Sequence, residues 1–269
     1  MNVMENYLNI APILEYDDDE STLAKEYFFS NGKKTFEDFD KVKALEVDKC
    51  IIFYSRAFSQ CKEIYEKCEK IYEFKSASTI SPVYLYDNRI LIALGPLGGP
   101  ASANLMEELM YNGINKFIAC GSCGCLSENI KVEKDFFVPT EAIRDEGLSY
   151  HYLPASRTVW TDVKVNKQLE ASLKRYNQEY VKGITWTIDA LYRETPNRTE
   201  RRKKEGAIAV EMECASLASV AKFNNVKFGA LLYFTDRVGK DSWKWRTYDK
   251  VSLRTHLLKI CIDAIDNLK

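Results

Sequence analysis

The chain has 269 residues, of which 46% are hydrophobic and 29% are charged, and its formal net charge at pH 7 is −1. This length and composition allow one large α/β domain with a buried core, so we expect a single domain over residues 1–269 with a divergent N-terminal part at 1–50. The basic residues are dispersed apart from a short run at 201–204, which excludes the basic stripe of a nucleic-acid-binding protein. We therefore expect a small-molecule ligand and no nucleic-acid partner.

The cellular setting is predicted from what the sequence lacks. No apolar run reaches the length of a membrane span, and the first five residues are not the start of a signal peptide. Eight cysteines without a secretion signal favour reduced thiols in the cytoplasm over a disulfide framework. Cys120, Cys123 and Cys125 are spaced by glycine and serine, with no nearby histidine to complete a zinc site, so we expect no metal.

Apolar periodicity and turn residues predict the elements in chain order. They are helical segments in 1–50 around a turn at Asn31 and Gly32, a strand at 50–54, a charged helix to about 70, a hairpin of strands 83–86 and 89–94, a helix at 101–112, strands at 116–119 and 135–139, a helix at 164–180, strands at 184–187 and 207–210, a helix to about 223, a strand at 228–234 and a helix at 248–267. This alternation predicts an α/β fold, a twisted mixed sheet with helices on both faces.

Two glycine-rich segments, 95–100 and 121–124, each follow a predicted strand and are predicted to be turns. Backbone N–H groups at such turns form anion-binding nests, and the first segment also opens a helix. A glycine turn alone is weak evidence of a ligand, because it more often serves a residue that needs positive φ. Ser122, between two glycines, adds a hydroxyl that can donate to an oxyanion. Neither segment has the pattern of a P-loop or a dinucleotide-binding turn.

The most informative segment is Glu211-Met212-Glu213, where a predicted strand gives way to a helix. Asp236 comes at the end of the next predicted strand. Ligands of open α/β sheets bind outside the carboxyl ends of strands, so both acidic positions are predicted to face a small molecule. Glu213 can accept hydrogen bonds from a pair of sugar hydroxyls, Met212 can lie against a sugar face, and Asp236 can supply a proton to a leaving group.

Further motifs extend this pattern in unbroken order from about residue 83 to residue 267. They are LGPLGGPAS at 94–102, EEL at 107–109, GSCG at 121–124, AIRDEGLSYHY at 142–152, TWTIDALYRET at 185–195, VEMECAS at 210–216 and TD at 235–236. Together they resemble the nucleoside phosphorylase family of uridine phosphorylases and hexameric purine nucleoside phosphorylases.

The resemblance implies a role for each matching residue. It implies ribose binding by Glu211, Met212 and Glu213, base binding by Thr187, Leu191, Tyr192 and Val210, phosphate binding by Gly98, Gly99 and Ser122, and protonation of the leaving base by Asp236. Asp236 favours a purine over uridine, because a purine N7 can accept its proton. Uridine-specific members read the pyrimidine with a glutamine and an arginine, and here Thr195 and Asn197 occupy those places.

The implied activity is that of a pentosyltransferase of nucleoside salvage. A ribonucleoside is cleaved at its N-glycosidic bond by inorganic phosphate as co-substrate, without a cofactor, giving free base and ribose 1-phosphate. Members of the family are oligomers, so the resemblance also implies a homodimer or a larger homo-oligomer.

The chain departs from the family where phosphate binds. The family places arginines there, yet this chain has no arginine before Arg56, and Ala119 stands where an arginine is expected. Losing such bidentate, charge-assisted contacts is a serious change, and lysine is not an equivalent replacement. Three functions stay open: a phosphorylase that uses other cations, a hydrolytic nucleosidase of the same fold, and a nucleoside-binding module without turnover. The intact sugar and proton-donor positions favour an enzyme.

Overall fold

The computed structural model of this protein describes residues 11–14, 40–132, 136–238, 243–245 and 249–269. The turn predicted at Asn31 and Gly32 lies outside the described residues, as does most of the predicted N-terminal helical part. Within the first fifty residues the structure describes a 3₁₀ turn at Pro12–Leu14, a short helix at Asp40–Ala44 and the start of a strand.

The described residues form strands and helices in alternation. The strands are β1 (Lys49–Phe53), β2 (Cys68–Lys75), β3 (Ile80–Tyr86), β4 (Ile90–Leu94), β5 (Lys116–Cys125), β6 (Phe136–Asp145), β7 (Thr158–Trp160), β8 (Tyr180–Ile188), β9 (Ala207–Glu211), β10 (Lys227–Val238) and β11 (Trp243–Trp245). The helices are α1 (Asp40–Ala44), α2 (Lys62–Tyr65), α3 (Gly99–Tyr111), α4 (Val163–Arg175), α5 (Pro196–Lys204), α6 (Cys214–Phe223) and α7 (Lys250–Asp266). The predicted α/β class with a mixed sheet is confirmed.

All of these strands belong to one sheet, in the order β11-β10-β6-β8-β9-β5-β1-β4-β3-β2, with β7 on the side of β6. Strand β5 pairs parallel with β1 and with β10, and it also pairs antiparallel with β9. Strands β5, β10, β6, β8 and β9 therefore close into a ring, while β1, β4, β3 and β2 continue from it as an open sheet. The closure brings the ends of β5, β9 and β10 together.

Helices cover both faces of the open part of the sheet. Because successive side chains of a strand point to opposite faces, neighbouring residues pack against different helices. Ile52 of β1 and Ala119 of β5 pack in a core cluster with residues of α3 and α6. Their chain neighbours Ile51 and Ile118 pack in a second cluster with residues of α4 and α7. Among the described residues, no helix has the length and apolar character needed to cross a bilayer.

Two predicted helices extend too far. Helix α2 ends at Tyr65, and the residues from Cys68 form β2, paired antiparallel with β3. There, pairing with a neighbouring strand overrides a charged segment that favours a helix locally. Helix α4 ends at Arg175 in a turn in which Asn177 takes a positive φ of 50°, and β8 begins at Tyr180.

The segment 121–124 is not a turn, contrary to the prediction, because it lies within β5. Neither Gly121 nor Gly124 has positive φ. Both glycines instead allow close neighbours. A Cβ atom on Gly121 would lie 2.9 Å from the Cβ of Tyr54, and one on Gly124 would lie 2.9 Å from Cγ1 of Val210.

Candidate active site

A cavity of about 660 Å³ opens where β5, β9 and β10 come together. Most of the predicted site residues lie on its wall. They are Ser122, Leu191, Tyr192, Val210, Glu211, Met212, Glu213 and Asp236. Gly98, Gly99 and Thr187 are not among its lining residues. The structure thus brings together predicted sugar, base and proton-donor residues, which are separated by up to 45 residues in the chain.

Strand register places Asp236 at the centre of this wall. Gly124 of β5 pairs with Val210 of β9 on one side and with Asp236 of β10 on the other. A Cβ atom on Gly124 would lie 3.3 Å from Oδ2 of Asp236, so the glycine makes room for the carboxyl group. Asp236 is only 5% exposed, and the Thr235 hydroxyl donates to its Oδ1 at 2.5 Å. This buried carboxyl group is held in one orientation beside Val210.

Glu213 connects the acidic motif to the first glycine segment. Its Oε1 accepts a hydrogen bond from the backbone N–H of Gly98 at 2.7 Å. Burial and the nearby charge of Glu211 raise the pKa of Glu213 to about 8. The Gly98 amide, predicted to bind phosphate, therefore points at a carboxylate in this structure. Gly99 packs against α6, since a Cβ on it would lie 2.2 Å from Oγ of Ser216.

Glu211 is buried and is held by donors from two elements. Its Oε2 accepts the backbone N–H groups of Glu213 at 2.7 Å and of Cys214 at 2.6 Å, at the start of α6. Its Oε1 accepts the hydroxyls of Thr187 and Thr185 on β8. Burial raises the pKa of Glu211, although these hydrogen bonds oppose the rise. Four donors occupy the sites that a carboxylate offers, so Glu211 holds Glu213 in place, and Thr187 lies behind Glu211.

One end of the cavity is formed by Leu191 and Tyr192 of the 3₁₀ turn Leu191–Arg193 and by the residue after this turn. Tyr192 is 95% exposed at the mouth. Glu194 follows it on the cavity wall, and among the described residues its buried Oε2 has no hydrogen-bond partner. Burial and repulsion from Asp236 raise the pKa of Glu194 to about 7. The sequence analysis did not single out Glu194, although it falls inside the TWTIDALYRET motif.

The opposite end of the cavity is occupied by Tyr54, which the sequence analysis also missed. Its ring lies over Gly95 and Gly121, where side chains would collide with it. The Tyr54 hydroxyl donates to Oγ of Ser102 at 2.9 Å, and that hydroxyl donates in turn to the carbonyl of Pro96 at 2.7 Å. Tyrosine thus fills the space between the two glycine segments in which phosphate binding was predicted.

The ionisable side chains of the cavity wall include several carboxyl groups and no basic group among the described residues. Four carboxyl side chains face the cavity, those of Glu194, Glu211, Glu213 and Asp236. Within the described part of the chain, the cavity lining contains no lysine, arginine or histidine. Such a wall supplies no counter-charge for an anion.

Comparison with known proteins decides the family. The sequence profile of the Phosphorylase superfamily matches residues 58–263. This chain belongs to the phosphorylase superfamily.

Individual relatives in this superfamily are distant. The chain is 28% identical over 135 residues to guanosine phosphorylase of Halorubrum lacusprofundi, and 29% identical over 138 residues to purine nucleoside phosphorylase of Plasmodium falciparum. These matches cover 50% and 51% of this chain and 56% of each relative, so the matched region spans about half of those proteins. Uridine phosphorylase of Escherichia coli is 23% identical over 194 residues, covering 66% of this chain and 76% of that protein.

A solved structure supports the fold of this superfamily member. AMP nucleosidase from Bacteroides thetaiotaomicron superposes with a TM-score of 0.66 and 19% sequence identity, covering 82% of this chain and 89% of that chain. At this identity the likeness shows a shared fold. The family resemblance predicted from the motifs is confirmed.

An ion-pair cluster anchors the helix that follows the cavity-lining segment 191–194 in this superfamily member. Asp145, at the end of β6, accepts hydrogen bonds from Arg198 and Arg202 of α5 and from the indole of Trp186. Burial alone would raise the pKa of Asp145, but the two arginines outweigh burial and lower it. Since α5 directly follows the cavity-lining segment 191–194, this cluster holds that segment against the sheet.

Replacing Asp145 with asparagine is expected to lower the free energy of unfolding by on the order of 3 kcal/mol, because Arg198 loses its counter-charge and Arg202 keeps only its pair with Glu205. The lowered pKa means that the carboxylate stabilises the fold at neutral pH and that this stabilisation is lost as pH falls through the folded-state pKa. Urea unfolding at neutral and acidic pH measures both effects. Glu69→Gln, in the exposed pair with Lys41, is the control and should cost less than about 1 kcal/mol. Equal losses for the two variants would contradict the anchoring role.

Proposed function

We propose that this protein is an enzyme that cleaves the N-glycosidic bond of a purine ribonucleoside. The observation that carries the proposal is the presence of Glu213 and Asp236 on the wall of one cavity. The cavity volume of about 660 Å³ suits a ligand of nucleoside size. The names of relatives also support the proposal, since they are guanosine, purine nucleoside and uridine phosphorylases.

The proposed reaction loosens the bond between base and sugar until the sugar resembles an oxocarbenium ion. Glu213 accepts hydrogen bonds from the ribose 2′ and 3′ hydroxyls and fixes the sugar, while Met212 lies against its face. Asp236 gives a proton to N7 of the departing purine, which neutralises the leaving group. Glu213, ionised when the ribose binds, stabilises the positive charge that develops on the sugar, and this preference for the transition state over the ground state provides catalysis.

Water is proposed as the nucleophile: its oxygen bonds to C1′ of the sugar as the bond to the purine breaks, and the proton that it loses passes to solvent, from which Asp236 is reprotonated. A phosphate dianion in this cavity would lose its hydration beside four carboxyl groups, with no cationic side chain among the described lining residues. Such burial of an uncompensated charge is costly, whereas a neutral water molecule avoids it. Ala119 stands where the resemblance implies a phosphate-binding arginine, and Tyr54 lines the same cavity.

Phosphorolysis, the activity predicted from the family resemblance, is the second candidate. It is favoured by the names of the relatives, which are phosphorylases. In that case the cations come from outside the described lining, for example from a neighbouring subunit of the homo-oligomer that the resemblance implies.

Product analysis separates these functions. Purified protein is incubated with guanosine, inosine, adenosine or uridine, with and without inorganic phosphate, and bases and sugars are quantified. We expect release of a purine base and free ribose at a rate that phosphate does not increase. Ribose 1-phosphate formed at a phosphate-dependent rate would establish phosphorolysis instead.

Failure to release base from any of these nucleosides would refute the enzyme proposal. The remaining function would then be nucleoside binding, which calorimetry detects directly. In that case Glu213→Ala should abolish binding, and the nucleoside should be recovered unchanged.

A further inference from the structure

Glu194 is a partly buried acid in the base end of the cavity for which the proposed reaction has no role. It follows the 3₁₀ turn Leu191–Arg193 and directly precedes the residue that caps α5. Its Oε2 is buried and, among the described residues, has no hydrogen-bond partner. A buried polar atom without a partner costs free energy, so its retention on a cavity wall points to a ligand that supplies the missing contact.

Asp236 influences the charge of Glu194. Both line the cavity, and repulsion from Asp236 adds to burial in raising the pKa of Glu194 to about 7. Near neutral pH, Glu194 therefore exists both as an ionised group that only accepts hydrogen bonds and as a neutral group that can also donate one.

Resting on the proposed function, we propose that Glu194 is the residue that selects the purine. Its unpartnered Oε2 hydrogen-bonds to the base edge next to the N7 that Asp236 protonates. When ionised, Glu194 accepts from a base N–H group, and when protonated it donates to a base carbonyl or ring nitrogen. Selection between purines that differ at positions 1 and 6 then depends on whether Glu194 carries a proton.

Inosine and adenosine form a matched pair of substrates for this proposal. Both nucleosides have the same ribose and the same N7. At positions 1 and 6 of the base, inosine has a hydrogen-bond donor and an acceptor, whereas adenosine has an acceptor and a donor. Other titratable groups face the cavity from β5, β9, β10, the start of α6, the segment after β1 and the turn of Glu194 itself. They are Tyr54, Cys123, Tyr192, Glu211, Glu213, Cys214 and Asp236. Glu211 and Glu213 belong to the sugar side, so their titration affects both substrates alike and cancels in the ratio of the two kcat/KM values.

The test measures this ratio at about pH 6 and at about pH 8 for the wild-type chain and for Glu194→Gln. Glutamine keeps a donor and an acceptor but does not titrate. In the wild type the ratio should change about tenfold between these pH values, as expected for exchanging a hydrogen bond to a charged group. In Glu194→Gln the ratio should be independent of pH. Glu200→Gln on α5, whose carboxylate binds Lys203 outside the cavity, is the matched control and should behave as wild type.

Each outcome has a defined meaning. A ratio that changes with pH equally in wild type and Glu194→Gln would assign the titration to another group and overturn the proposal. A ratio independent of pH in both proteins would overturn it as well. If the wild type cleaves no nucleoside, the proposed function fails, and calorimetric binding of the two nucleosides at both pH values tests Glu194 on its own, with the same expected loss of pH dependence in the variant.

Discussion

Asp236→Asn is expected to lower kcat for cleavage of a purine nucleoside by about 10²–10⁴-fold, with little change in KM. Asparagine preserves the size of the side chain, and the Thr235 hydroxyl can still donate to its oxygen. It cannot supply an acidic proton to N7, so the purine would have to leave as an anion. Steady-state kinetics with the best purine substrate measures the effect.

A substrate with an activated leaving group provides the control for this prediction. The p-nitrophenolate group of a p-nitrophenyl riboside departs without protonation. Cleavage of this riboside should therefore be affected far less by Asp236→Asn. Asp263→Asn, in a surface pair with Arg175, should leave both reactions unchanged. Equal losses for the nucleoside and the aryl riboside would show that Asp236 organises the site and is not the proton donor.

Glu213→Gln is expected to weaken nucleoside binding about tenfold to a hundredfold, because a charged acceptor of the two ribose hydroxyls becomes neutral. An ionised carboxylate is a stronger hydrogen-bond acceptor than a neutral carboxyl group. A bound ribonucleoside should therefore lower the pKa of Glu213 from about 8 and release a proton near neutral pH. Calorimetry in two buffers of different ionisation enthalpy measures both affinity and proton release. Loss of proton release in Glu213→Gln, with release retained in Glu200→Gln, would identify the titrating group.

The same substitution is expected to stabilise the fold at alkaline pH. The folded-state pKa of Glu213 is about 8, above its usual value of 4.5, so the folded state holds a proton that the unfolded chain releases. Wild-type stability should fall relative to the variant as pH rises through this interval. Above about pH 8 the variant should be more stable, on the order of 2–4 kcal/mol. A constant difference in unfolding free energy across this pH range would contradict the buried, uncharged state of Glu213.

Features specified by neighbouring residues are predictable from the sequence. The hairpin between β3 and β4 follows from Asp87 and Asn88, which take positive φ values of 49° and 54° that these residue types tolerate. The apolar run into Glu211 and the helical pattern after it predict the junction of β9 and α6, and this junction is observed. Such features depend on steric preferences and hydrophobic periodicity within a few residues.

The sequence by itself determined the α/β class and the family, and it predicted residues for the sugar and proton-donor positions. Only the tertiary structure decided how these residues are arranged. The Gly98 amide binds Glu213 across a separation of 115 residues, and Tyr54 fills the space over Gly121. Glu194 becomes part of the site only because α5 is anchored on Asp145. These contacts arise from strand closure and long-range packing, and no local pattern in the chain encodes them.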